Sequence, residues 1–207
     1  MEACQKILVS GLESLNLSLS DDKIRQLLDF IKLIEKWNKA YNLTAIRNRE
    51  EMARLHILDS LAIIPHIEGQ RIIDIGTGAG LPGIPLAICL PGISFTLLDS
   101  NAKKTRFVQQ AVIELGLGNV RVIHMRIERF QDESGFDVIL ARAYASLADI
   151  VEQTRRLLSA GGVILAQKGK SPERECLTLE RAKIETLPLK IPGVDAERHL
   201  VAVTLPG

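Results

Sequence analysis

From Ile24 to Trp37 the apolar positions recur three and four apart: Ile24, Leu27, Leu28, Ile31, Ile34 and Trp37 share one face of a predicted helix, and Ser20-Asp21-Asp22 just before them supplies an N-cap. A second helix is expected over Glu50 to Leu61. After residue 70 the period changes. Short apolar runs read as strands at Arg71–Ile75, Ser94–Leu98, Val120–His124, Phe136–Ala141 and Val163–Gln167, and polar-apolar helical stretches separate them. Those helices are a short one with Pro85 near its first turn, Lys103–Leu115, Leu147–Leu158 and a polar one from Pro172. Gly161-Gly162 is read as the turn into the fifth strand. Two late strands, near Ala182–Leu187 and His199–Thr204, join through Pro192-Gly193 as a hairpin.

Strands alternating with helices predict an α/β fold with a doubly wound, mostly parallel sheet, seven strands in all, and the hairpin adds an antiparallel edge strand. Residues 1–65 are expected to form an N-terminal helical extension packed on a core of residues 66–207. In such sheets a ligand lies beyond the carboxyl ends of the strands. Asp74, Asp99, Glu128 and Arg142 all fall at that edge.

Composition narrows the picture. With 207 residues and 46% hydrophobic content, the chain can bury a full core and suits one domain with a short appendage. A net charge of +1 is low for a protein that coats nucleic acid, so any RNA contact must come from a local basic patch. Cys4, Cys89 and Cys176 form neither a Cys-x-x-Cys pair nor a zinc spacing, so no metal is expected. The N-terminus lacks the basic start and apolar core of a signal peptide, and apolar runs such as Ile84 to Leu90 are too short to span a bilayer. A cytoplasmic protein without membrane contact, and a monomer, is the expectation.

The chemistry concentrates at Asp74-Ile75-Gly76-Thr77-Gly78-Ala79-Gly80-Leu81-Pro82-Gly83. Glycines leave bare backbone for a nucleotide-like ligand to approach, and the following helix offers free N–H groups. Gly78, Gly80 and Gly83 fit the dinucleotide pattern G-x-G-x-x-G. Gly76, Gly78 and Gly80, preceded by Asp74, fit the acid-then-G-x-G-x-G signature of S-adenosylmethionine (SAM) methyltransferases. The second register ends the strand at the acid, whereas the first would run a buried strand through Gly76. Asp99, about twenty-five positions further on, suits a ribose-binding carboxylate or a strand-end helix cap. Ile127 and Glu128 suit an adenine wall and its hydrogen-bonding acid, though Glu128 also reads as a solvated helix-start acid. Asp74 can equally brace the glycine turn through backbone N–H groups.

These blocks resemble the RsmG (GidB) family, bacterial SAM-dependent methyltransferases of guanine N7 in 16S ribosomal RNA. The resemblance rests on Lys36-Trp37-Asn38-Lys39-Ala40-Tyr41-Asn42-Leu43-Thr44-Ala45-Ile46, on His56-Ile57-Leu58-Asp59-Ser60-Leu61, on the glycine loop and on Leu97 to Lys104. It continues at Ala141-Arg142-Ala143-Tyr144-Ala145-Ser146-Leu147, Gln167-Lys168-Gly169-Lys170 and Glu197-Arg198-His199-Leu200-Val201. Where the family usually has Ser-Arg-Ala-Phe, this chain has Ala141-Arg142-Ala143-Tyr144, which removes a hydroxyl and keeps the arginine. The resemblance implies a class I methyltransferase fold, SAM as cofactor, and guanine 527 as the target. It implies SAM contacts at Gly76, Leu81, Ile127, Glu128 and Arg142, and the small ribosomal subunit or its assembly intermediate as partner.

Guanine N7 carries a lone pair and no proton, so its methylation asks for alignment rather than a general base. The chain accordingly shows no cysteine-nucleophile motif and no Asn/Asp-Pro-Pro-Tyr/Phe tetrapeptide. Arg142 is read as the catalytic candidate, able to hydrogen-bond guanine O6, with a structural ion pair as the competing role. Arg126, Lys168, Lys170 and Arg198 are the candidates for RNA contact. His56, Asp59 and Ser60 imitate a triad, but on one helix they suit packing, with His56 and Asp59 locking the leader over the site. Trp37 is expected in the core, and the leader's Lys32, Lys36, Lys39, Arg47, Arg49 and Arg54 form either a phosphate patch or a solvated face. Two competing functions use the same features: a NAD(P)-dependent oxidoreductase and a non-catalytic ribosome-assembly factor. The first lacks chain for a substrate domain and a Tyr-x-x-x-Lys pair, and an intact loop with Asp74 and Asp99 speaks against the second.

Overall fold

A computed structural model of the protein describes residues 1–169, 173–176, 179 and 182–206. Seven strands form one sheet: β1 (Arg71–Ile75), β2 (Ser94–Asp99), β3 (Val120–His124), β4 (Phe136–Arg142), β5 (Leu158–Lys168), β6 (Lys183–Pro188) and β7 (His199–Thr204). Their spatial order is β3-β2-β1-β4-β5-β7-β6. β1 pairs in parallel with β2 on one side and β4 on the other, the central place in a doubly wound sheet. The C-terminal hairpin refines the expectation of an antiparallel edge. β7 runs antiparallel to both β5 and β6 and lies between them, so the antiparallel strand is one in from the edge and β6 is outermost.

Alternate side chains of the strands feed two cores, as the pleat requires. Ile72, Leu97, Val138 and Leu140 face one apolar cluster, and Ile73, Ile75, Leu98 and Ile139 face the other. The helices that cover these faces include α5 (Gly83–Cys89), α6 (Ala102–Glu114), α7 (Leu147–Thr154) and the short α8 (Glu173–Cys176). The leader contributes α1 (Glu2–Ser14), α2 (Asp21–Tyr41) and α3 (Arg49–Met52), which runs on through a π-helical segment, Ala53–Leu58, into α4 (Asp59–Leu61). Leu27, Phe30, Ile31, Ile34, Met52 and Ile57 join the first cluster, so the leader covers one face of the sheet. Trp37 is half-buried and packs against the core in an aromatic group with Tyr41 and Phe107.

Three local features depart from the sequence reading. α1 was not signalled by a strong cap: no side chain caps its N-terminus, and Gly11 interrupts its apolar positions. The helix expected over Leu147–Leu158 stops at Thr154, tightens through a 3-10 turn at Arg155–Leu157, and gives way to strand at Leu158. Gly161-Gly162 therefore lies within β5, in a bulge: the pairing with β4 jumps from Phe136↔Leu158 to Val138↔Val163.

Candidate functional site

β1, β2 and β4 all end at one edge of the sheet, and the loops beyond them enclose a pocket of about 310 Å³. Gly76 and Gly78 both adopt left-handed backbone, with φ +62° and +60°, where a side chain would be strained. A Cβ on Gly76 would fall 2.4 Å from Cδ2 of Tyr144, so the aromatic ring seats directly on that glycine. A Cβ on Gly78 would meet only the Gly76 carbonyl, at 3.8 Å, leaving that side of the loop open for a ligand.

Two aspartates hold the loop from opposite sides. Asp74 is fully buried; its Oδ2 accepts from Thr77 Oγ1 at 2.6 Å and from the Gly83 N–H at 3.0 Å. Burial pushes its carboxyl up to about 7, against the pull of those two donors. Asp74 thus braces the turn through Thr77 and Gly83, the second of its two readings, and does not line the pocket. Asp99 does line the pocket. Its Oδ2 accepts from the Gly78 N–H at 2.9 Å and its Oδ1 from the Asn101 N–H at 2.8 Å, tying the glycine loop to the start of α6. Each carboxylate oxygen has a second lone pair for a ligand hydroxyl.

Ile127, Glu128 and Arg126 complete the far wall with Met125. Ile127 is buried, while Arg126 and Glu128 are exposed at the rim. Of the predicted cofactor contacts the structure brings together Gly76, Asp99, Ile127 and Glu128. Gly78 reaches the wall through its N–H bond to Asp99. Gly80 and Leu81 stand back from it: a Cβ on Gly80 would run into Ile84 at 2.6 Å, and Leu81 packs on the leader-side core.

Sequence reasoning missed Tyr144, Ala143, Ser100 and Lys104, which also line the pocket. Ala143 adopts φ +49°, unusual for a residue with a Cβ, and this kink aims Tyr144 back over Gly76. Tyr144 is anchored further by its hydroxyl, which donates to Gln153 Oε1 at 2.8 Å. The sequence signal for this wall is the Arg142-Ala143-Tyr144 block, in which the arginine draws the functional reading and the tyrosine does not.

Of the two roles read for Arg142, the structure shows an ion pair, made with Asp59 of the leader. Its guanidinium turns from the end of β4 into the leader, where Nη2 donates to the Leu55 carbonyl at 2.8 Å and Nη1 pairs with Asp59 Oδ2 at 3.2 Å. It is not part of the pocket wall. Arg198 Nε approaches the same carboxylate, 3.4 Å from Oδ1. Lys168, expected to meet RNA, is engaged internally: Nζ donates to the Ala145 carbonyl at 2.8 Å and pairs with Glu175 at 2.9 Å. Lys170 lies outside the described residues. In the leader, Lys32 and Arg49 pair with Asp29 and Glu35, which favours the solvated-face reading for those two.

His56, Asp59 and Ser60 form no triad. The Ser60 hydroxyl donates to the His56 carbonyl within the helix, and His56 Nε2 lies 2.9 Å from Thr44 Oγ1. Burial, and the nearby Arg142 charge, pull the His56 imidazole down to about 4, so it is neutral at pH 7. Among the described residues no helix is long and apolar enough to cross a membrane, and no cluster of three or more His, Cys, Asp or Glu is placed to hold a metal.

Comparison with known proteins agrees with this geometry. Solved structures with the same architecture include a SAM-dependent methyltransferase from Aquifex aeolicus (TM-score 0.59, 17% identity, covering 74% of this chain and 93% of that one). A glycopeptide N-methyltransferase complexed with SAM superposes with TM-score 0.63 at 11% identity, over 73% of this chain and 88% of that one. At these identities the likeness establishes the class I methyltransferase fold. Curated relatives are far nearer in sequence. A protein of Methylococcus capsulatus named ribosomal RNA small subunit methyltransferase G is 52% identical over 94% of this chain and 95% of its own length. One of the same name from Nitrosococcus oceani is 49% identical over 95% and 93%. The family described as GidB, rRNA small subunit methyltransferase G, matches residues 23–201, and this chain belongs to it.

Proposed function

We propose that this protein transfers the methyl group of SAM to N7 of a guanine in 16S ribosomal RNA, guanine 527 by family resemblance, acting in the cytoplasm on the small subunit or its precursor. The observation that carries the reading is the pocket in which Gly76, Asp99, Ile127 and Glu128 converge at the carboxyl edge of the sheet. Its parts fit the donor. Asp99 offers free lone pairs to the two ribose hydroxyls, Ile127 and Met125 give adenine an apolar wall, and Glu128 accepts from its amino group. The open side of Gly78 admits the ligand against bare backbone. When bound, SAM supplies an electrophilic methyl on a positively charged sulfonium.

The chain's own work is then to hold and align. Asp99 and Glu128 at the wall favour a cationic ligand, while Lys104 and Arg126 at the same opening favour the phosphates of an approaching RNA strand. Tyr144, fixed between Gly76 and Gln153, shapes the side of the pocket nearest the end of β4. No residue is asked to remove a proton, in keeping with an N7 acceptor and with a histidine buried in the leader.

Calorimetry with S-adenosylhomocysteine and with NADH separates this reading from a dehydrogenase using the overlapping glycine pattern. Saturable binding of S-adenosylhomocysteine with no heat from NADH is expected. The reverse pattern would overturn the assignment.

A further inference from the structure

Asp59 is the meeting point of three segments that are remote in sequence. Its side chain is almost wholly buried, 4% exposed, and lies between Arg142, from the end of β4, and Arg198, from just before β7. Its backbone carbonyl accepts from Gln167 Nε2 at 2.9 Å, from the end of β5. One carboxylate thus gathers the carboxyl edge of the sheet onto the leader. Two guanidiniums against one carboxylate leave an excess of one positive charge. The arginine side chains remain 21% and 26% exposed, so part of each is open to solvent.

The two arginines are held unequally. Arg142 is fastened by the Leu55 carbonyl as well as by Asp59. Arg198 stands 3.4 Å from Asp59 Oδ1, a buried oxygen with no hydrogen bond among the described residues. Its Nη1 donates to the exposed Glu197 carbonyl. An ion cluster of this kind is a poor way to gain stability, because desolvating three charges cancels most of their attraction. It is a good way to fix the direction of two planar donors, each suited to bidentate contact with a phosphate. Burial pushes the Asp59 carboxyl up and the two arginines pull it back, so removing its charge leaves both guanidiniums without their common anchor.

We propose that Asp59 is a positioning residue that sets Arg142 and Arg198 side by side as a seat for a phosphate group of the RNA strand being methylated. The proposal rests on the methyltransferase reading above. It adds a function for Asp59, and it makes Arg198 a phosphate contact that depends on a residue of the leader.

The test is steady-state methylation of purified small ribosomal subunits that lack the modification, by the wild-type chain, Asp59→Asn, Arg198→Gln and the double variant, at several salt concentrations. Asp59→Asn is expected to raise KM for the subunit about tenfold and to leave S-adenosylhomocysteine affinity within about threefold of wild type. The slope of log(kcat/KM) against log[salt] should shrink by roughly 0.7, the value of one phosphate contact on a single strand. Arg198→Gln should reproduce both changes, and the double variant should be no worse than either single one, because the two residues act as a unit. A wild-type KM and salt slope in Asp59→Asn would overturn the proposal. So would a variant that loses kcat and cofactor affinity together while KM stays put. Should Asp59→Asn melt below the assay temperature, Arg198→Gln carries the test alone, and an unchanged KM and slope there overturns it. A wild-type chain that methylates no subunit at all refutes the functional reading instead.

Discussion

Single residues show how the same atom types take different roles by placement. Asp74 and Asp99 flank the same loop, and both looked from the sequence like cofactor acids. The difference is burial: Asp74 spends one oxygen on Thr77 and Gly83 and faces no opening, whereas Asp99 reaches the pocket. Spacing along a chain cannot tell these apart, because both occupy the last positions of parallel strands. Asp99→Ala should weaken S-adenosylhomocysteine binding by about 1.5–3 kcal/mol, since it removes a charged acceptor and frees Gly78 and Asn101 from one another. Calorimetry that returned wild-type affinity from a folded variant would take Asp99 out of the site.

His56 makes a sharper prediction, through pH. Its imidazole titrates near 4 in the fold and near 6.5 when unfolded, so between those values the unfolded chain binds the extra proton. Stability from this residue is therefore present above pH 6.5 and is lost as pH falls towards 4, by about 3 kcal/mol in all. Asp74 works in the opposite sense: raised to about 7, it takes up its proton in the fold first and costs stability as pH rises from 3.8. Denaturant melts of wild type and His56→Gln at pH 7 and at pH 4.5 isolate the histidine. The wild type should lose more stability on acidification than the variant. Parallel losses would show that His56 does not carry the effect.

Among the elements, those with a strong period were legible and those made by irregular backbone were not. α2 announced itself through Ser20 and the run from Ile24 to Trp37, and β1 through consecutive isoleucines before a glycine. α1 lacks such a cap, and the β5 bulge puts Gly161-Gly162, a turn signal, inside a strand. The π-helical stretch Ala53–Leu58 is likewise invisible to a 3.6-residue pattern, yet it delivers Leu55 and the following Asp59 to Arg142. Arg142 is consequently a joint between β4 and the leader. Arg142→Lys keeps the charge but cannot span the Leu55 carbonyl and the Asp59 carboxylate together. A loss of about 1 kcal/mol, seen as a melting point lower by about 2–4 °C, is expected. Affinity for S-adenosylhomocysteine should stay within about threefold, while single-turnover methyl transfer at saturating SAM falls about tenfold. Recovery of the full rate at saturating SAM would instead make Arg142 a cofactor residue only.

At the scale of the whole molecule, the alternation of strand and helix sufficed to give a doubly wound sheet and to place its ligand edge. The insertion of β7 between β5 and β6 was not readable, because a hairpin signal fixes that two strands pair and not which of them meets the sheet. The leader and the core share one apolar cluster, so the basic groups proposed to meet RNA and the pocket proposed to hold the donor are parts of one packed unit. That architecture fits a protein that must present a small cofactor to one base within a large particle.

Mass mapping of 16S ribosomal RNA from cells with and without the protein tests the proposed activity most directly. Deletion is expected to remove one methyl group, from N7 of a single guanine, and the purified protein with SAM to restore it on isolated small subunits. An unchanged methylation map, or a loss at a base other than guanine, would contradict it.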